Sequence, residues 1–158
     1  MKIKMKVDLL DNTKKKNMLN MLEREYGIIN LSYLVLETCK GKYRIYSGGL
    51  SREELNMLAK TINIEIIGAK ICKIEEDKIR LDFDIINLPE IKKQINKNTF
   101  EISDKNVKQW MQGDNLNVKT ESNASYFIIK NKNDMLGTGQ NAKVLIKNYI
   151  PKERRVKS

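Results

Sequence analysis

At Leu88-Pro89 the apolar alternation of the first half of the chain stops. Proline has no backbone N–H and fixes its own φ, so a strand or helix in progress cannot run through it unchanged. The residues that follow, up to Asn98, are polar and rich in Lys and Asn. Apolar segments on the two sides must then find separate places to bury themselves. The expectation is a junction between Asn87 and Asn98, with one unit over residues 1–90 and another over residues 96–158. A chain of 158 residues can supply one domain or two very small ones.

Before the break the pattern predicts a small α/β domain. Asn12 or Thr13 can cap a helix running to Tyr26, with Met18, Leu19, Leu22 and Tyr26 on one face and Gly27 as the stop. Lys14-Lys15-Lys16 falls in its first turn and reads as a solvated face. Leu31–Glu37 and Tyr43–Tyr46 read as strands joined at Lys40-Gly41. Ser51 and Glu54 form a capping box for a second helix. Gly48-Gly49 before it suits a turn, or an anion at the helix start. The β-branched run Ile62–Ile74 predicts a long strand, paired with Ile79–Phe83 across Glu75–Lys78.

After the break the elements are shorter. Phe100–Ile102 reads as a strand, Ser103 or Asp104 starts a helix to about Met111, and Gly113 suits a left-handed stop. Leu116–Lys119, Tyr126–Lys130, a strand beginning at Met135–Thr138, and Lys143–Lys147 follow as strands. Five short strands and one helix in so few residues predict a small barrel or sandwich. Gly137 and Gly139 share a strand face, where another backbone or a helix can come close.

Charge narrows the function. The formal net charge is +10. Residues 97–158 hold 12 basic side chains against 6 acidic, whereas residues 1–96 hold 18 against 14. The final stretch is the extreme, with Lys143, Lys147, Lys152, Arg154, Arg155 and Lys157 facing only Glu153. An excess of this kind attracts polyphosphates. The chain has no histidine and two well-separated cysteines, Cys39 and Cys72, so a zinc site lacks its usual ligands. Both cysteines read as packing residues in strands. No apolar run approaches the roughly 20 residues that span a bilayer. The alternation of residues 1–7 lacks the continuous apolar core of a signal peptide, and the expected location is cytoplasmic.

The C-terminal third resembles the PUA family of RNA-binding modules. The likeness rests on the helix ending in Met111–Val118, on Tyr126–Gly139 with its Leu-Gly-x-Gly segment, and on Leu145-Ile-Lys-Asn-Tyr-Ile-Pro-Lys-Glu-Arg-Arg155. The last string is similar to the ending of Sun-type RNA cytosine-5 methyltransferases, where it closes a PUA-like domain. The first half loosely resembles the α/β pre-PUA domains of ribosome-biogenesis proteins. The resemblance implies an α+β chain, with an N-terminal α/β pre-PUA-like domain followed by a C-terminal PUA-like β-barrel. The chain departs from the enzymes themselves. Thr38-Cys39 is its only near match to their cysteine settings, and it has no glycine-rich cofactor loop.

These readings lead to a non-catalytic protein, without cofactor or metal, that recognises structured RNA such as tRNA or rRNA. Its setting would be RNA modification or ribosome biogenesis, with an RNA methyltransferase or an assembly factor as candidate partner and no membrane. The alternative is a protein–protein adaptor that docks through the N-terminal sheet. The candidate RNA-binding residues are Lys143, Lys147, Asn148, Tyr149, Lys152, Arg154 and Arg155. Cations meet phosphates, and Pro151 is expected to keep the end extended with its charges splayed outward. Tyr149 either stacks on a base or caps the barrel, and Trp110 packs in the core.

Overall fold

A computed structural model describes residues 8–64 and 66–157 of the chain. Residues 1–7, on which the signal-peptide reading rests, lie outside the described residues. The fold is mixed α and β, built on two separate sheets that lie one on each side of Pro89.

The first sheet is an antiparallel meander of β1 (Asp8–Leu9), β2 (Leu34–Cys39), β3 (Lys42–Tyr46), β4 (Ala69–Glu75) and β5 (Lys78–Leu81), in that order. Helix α1 (Asn12–Tyr26) starts at Asp11, whose carboxylate accepts from Lys14 N–H, and stops at Gly27. The cap is one residue earlier than the pattern suggested. Met18, Leu22 and Tyr26 of α1 bury against Val35, Ile45, Cys72, Ile79 and Leu81 on one sheet face. Helix α2 (Arg52–Thr61) has the expected capping box and packs Leu55 against Leu36 and Ile67 at one end of the other face. The rest of that second face is left open, and it carries the site described below.

The β-branched run does not form one long strand; β4 begins only at Ala69. Gly68 sits at φ 61, and a Cβ there would lie 2.0 Å from the Ile45 carbonyl oxygen. The Arg44 guanidinium holds the Ile67 and Gly68 carbonyls at this bend.

Pro89 opens a short helix, α3 (Pro89–Lys92), at a position where its missing N–H costs nothing. The polar stretch after it is packed. Ile91 and Ile95 bury in the first core, and Glu90 accepts from Ser32 N–H and Oγ. Gln94 Oε1 accepts from Ile29 and Asn30 N–H, and Asn98 Nδ2 donates to the Glu25 carbonyl.

The second sheet has the order β6 (Thr99–Glu101), β7 (Tyr126–Asn131), β8 (Asp134–Asn141) and β9 (Ile146–Asn148), with β6 parallel to β7 and the rest antiparallel. Helix α4 (Asp104–Gln112) ends at Gly113, φ 105, in the left-handed conformation expected. Its Trp110 is fully buried among Phe127, Ile129, Ile146 and Ile150, and Trp110 Nε1 donates to the Leu136 carbonyl at 2.8 Å.

Among the described residues this sheet does not close into the expected β-barrel. The segment read as a strand, Leu116–Lys119, contributes a single bridge, Leu116 to Ile146. Val118 N–H turns back to the Leu116 carbonyl, so the backbone curls away instead of extending a ladder. The two edge strands have only three residues each, too few to reach around, and the Trp110 side chain of α4 fills the interior. The strand expected at Lys143–Lys147 begins at Ile146 instead, because Lys143 takes φ 68 in the preceding turn.

The two units touch along one seam. Ile128 of β7 is buried in the first core, and Phe83 packs in the second. Thr138 Oγ1 donates to the Leu81 carbonyl of β5 at 3.0 Å.

Candidate nucleic-acid interface

The open face of the first sheet is cationic because of its register. Lys42 lies opposite Lys73, and Lys73 opposite Arg80, so one cation from each of β3, β4 and β5 forms a row. One step along, Arg44 pairs with Lys70. Regular alternation would put Lys70 and Lys73 on opposite faces, since they are three residues apart. A bulge between the Cys72 and Lys70 pairings leaves Ile71 as the extra residue and returns both lysines to the same side. These residues, with Thr38, Tyr43, Cys72 and Asp82, line a cavity of about 340 Å³.

The side chains of this row differ in what they are already doing. Arg44 holds carbonyls at the bend, and Lys73 pairs with Glu75. The Lys42 and Lys70 side chains are exposed and make no hydrogen bond or ion pair among the described residues. Arg80 ends the row at the seam, its guanidinium carbon 4.5 Å above the Tyr149 ring centroid. Tyr149 in turn meets Tyr126 edge to face, centroids 6.1 Å apart, and its hydroxyl bonds Gln140 Oε1. Gln140 lies opposite both Tyr126 and Lys147 in the ladder. Burial lifts the Tyr126 phenol above its ordinary range, with Arg80 pulling the other way, so it stays neutral at physiological pH. A continuous surface therefore runs from Lys42 through Lys73 and Arg80 to the tyrosine pair and on to Lys147.

The seven residues expected from sequence divide sharply. Tyr149 and Lys147 lie on this surface. Lys152 is exposed and its side chain has no partner among the described residues. The others are occupied by the fold. Lys143 Nζ donates to the Ser122 carbonyl and to Asn123 Oδ1. Asn148 Nδ2 donates to the Trp110 and Asp114 carbonyls, and its Oδ1 accepts from Ile150 N–H. Arg154 pairs with Asp84 at 2.9 Å. Arg155 Nε donates to the Ile150 carbonyl, and its guanidinium lies 2.7 Å from where a Cβ on Gly113 would stand.

The chain end is thus not splayed outward. Lys152–Arg154 winds into one 3₁₀ turn, because Pro151 can precede a turn as readily as an extended tail, and Val156 N–H then bonds the Met111 carbonyl. Two further sequence readings are also amended. Lys15 of the lysine triplet caps the Leu31 and Tyr33 carbonyls instead of standing in solvent. Cys39 is exposed, and only Cys72 packs, where burial raises its thiol well above the usual range. In the turn after α4 the Asn115 side chain accepts the Asn148 N–H. The residues missed were Lys42, Lys70, Lys73, Arg80 and Tyr126. Only pairing between strands brings them together, and no short motif marks it.

Cations beside flat aromatic groups are the chemistry by which proteins hold nucleic acids. The comparison with protein families agrees: residues 97–156 match the model described as Methyltransferase RsmF PUA domain. That match supports a PUA-type, RNA-binding C-terminal unit, in line with the likeness to the ending of Sun-type methyltransferases. No curated protein matches the chain.

Proposed function

We propose that this chain is a non-catalytic RNA-binding protein that recognises structured RNA, tRNA or rRNA, in the cytoplasm. Its setting would be RNA modification or ribosome biogenesis, beside an RNA methyltransferase or an assembly factor. The observation that carries this reading is the family match over residues 97–156, which covers the C-terminal unit, the strands bearing Tyr126 and Lys147, and Tyr149 just after the last strand. Structured RNA is read mainly through its shape, its phosphates and its unpaired bases. A cation–tyrosine surface serves the last two.

Equilibrium titration with bulk tRNA and with rRNA fragments, at several salt concentrations, tests the reading. Binding should weaken steeply with salt, since each neutralised phosphate releases counterions. No binding of either RNA at low salt would overturn it. Methyl transfer from labelled S-adenosylmethionine to RNA would overturn the non-catalytic part alone.

One observation favours a second reading, the protein–protein adaptor. Met57, Ile62 and Ile66 around the end of α2 are 70%, 51% and 80% exposed, an unusual display of large apolar side chains within one short stretch. Pull-down of a ribosome-assembly factor that Ile66→Asp abolishes, without RNA binding by the chain, would move this reading ahead.

A further inference from the structure

The geometry points to the open face of the first sheet, outside the family-matched segment, as half of the RNA site: Lys42, Lys70, Lys73 and Arg80 hold the backbone phosphates of an unpaired RNA segment whose neighbouring base lies at the tyrosine pair. This rests on the RNA-binding reading and adds to it a place and a ligand class. Residues 97–156 contain none of these four cations.

Three observations carry the inference. First, the cations are aligned. Lys42, Lys73 and Arg80 are directly opposed on adjacent strands, roughly 4.8 Å apart in the pairing direction. Placing like charges opposite one another destabilises a sheet. The fold tolerates this row and even uses a bulge at Ile71 to add Lys70 to it. The bulge also lets the consecutive residues Ile71 and Cys72 both bury in the first core, so packing accounts for the bulge but not for cations at Lys42, Lys73 and Arg80 on the opposite, exposed side.

Second, the face has little internal compensation. The cations Lys42, Arg44, Lys70, Lys73, Lys78 and Arg80 outnumber the carboxylates Glu75, Glu76 and Asp82. Exposed lysines without partners, Lys42 and Lys70, are free to contact a phosphate.

Third, the row ends on an aromatic surface at the seam. Arg80 lies over the Tyr149 ring, and Tyr126 and Gln140 adjoin it. A guanidinium stacked on a ring keeps one side for a base or phosphate while losing little freedom on binding. An unpaired strand is favoured over a duplex, because only an unpaired base can turn its face to these rings.

The test compares three full-length proteins by fluorescence titration. The parent is set beside Lys42→Gln, Lys70→Gln, Lys73→Gln and beside a control with the same loss of charge elsewhere, Lys14→Gln, Lys16→Gln, Lys105→Gln. The probes are bulk tRNA and a single-stranded RNA of about twelve nucleotides, within the usual footprint of such surfaces. Circular dichroism melts establish that each variant is folded. With single-stranded RNA the first triple variant should bind at least tenfold more weakly at low salt. Its log–log salt slope should be shallower by about 2, at about 0.7 per phosphate contact. The control should stay within about twofold of the parent, as expected for charges away from the contact. Parent-like affinity and slope in the first variant would overturn the inference while leaving RNA binding by the C-terminal unit intact. Equal losses in both variants would reduce the effect to net charge and also overturn it. A parent that binds neither probe would overturn the RNA-binding reading itself.

Discussion

The cations of the first sheet and those of the chain end look alike in sequence and are used differently in the fold. At the end, Lys143, Arg154 and Arg155 ties hold loops, a 3₁₀ turn and the stop of α4 in place. On the first sheet, Lys42 and Lys70 do nothing for the fold and stand in a row with Lys73 and Arg80. The densest run of charge is therefore the more structural one. Charge density along a sequence measures attraction at a distance, whereas a contact surface needs cations whose hydrogen-bonding capacity is still free.

Substitutions at the two regions should separate these roles. The largest effect belongs to Gly139, at the heart of the second unit. A Cβ there would lie 2.3 Å from Ile146 Cγ2 and 3.1 Å from the Trp110 ring. Gly139→Val should destabilise by about 3 kcal/mol, lowering the melting temperature by about 6–12 °C. A melt matching the parent would show that α4 is not seated against β8 as described.

The next concerns binding. Tyr149→Ala removes a ring at the seam and the support beneath Arg80. It should weaken single-stranded RNA binding by about tenfold, in the range of one lost stacking contact. Tyr149→Phe keeps the ring, loses only the hydroxyl bond to Gln140, and should bind within about twofold of the parent. Equal losses in both would assign the effect to the hydroxyl and remove stacking from the account.

A smaller effect tests the chain end. Arg155→Ala loses the bond to the Ile150 carbonyl and the packing over Gly113, for about 1 kcal/mol of stability. Its RNA salt slope should not change. The reverse result, a parent-like melt with a shallower slope, would restore the end as a phosphate contact and remove the difference between the two regions. Smallest is Arg154→Ala. Its pair with Asp84 is roughly half exposed on both sides, so solvent screening leaves a few tenths of a kcal/mol, read as a barely shifted urea midpoint.

Local grammar made much of the fold legible. The Ser51 capping box, the hairpin turn at Lys40-Gly41 and the left-handed stop at Gly113 each depend on residues within a few positions of one another. The C-terminal likeness was legible for the same reason, as an ordered string of short motifs, and Trp110 was correctly placed in the core. What sequence reasoning missed depends on pairing at long range. Barrel closure failed on the backbone path after Leu116, which no residue preference announces. The cation row exists only once β3, β4 and β5 are in register and Ile71 is bulged. Arg80 and Tyr149 lie far apart in sequence and meet only where the two units join. Tyr149 itself is 37% exposed and packs on Arg80 and Tyr126 at that seam, so it does not cap a barrel.

Nuclear magnetic resonance of the isotope-labelled full chain, titrated with the single-stranded RNA, tests most directly whether the RNA surface spans the two units. Backbone amide shifts should move at Lys42, Lys70, Lys73, Arg80, Tyr126, Gln140 and Tyr149, with little change over α1. Shifts confined to Lys152–Lys157, with the first sheet silent, would contradict it.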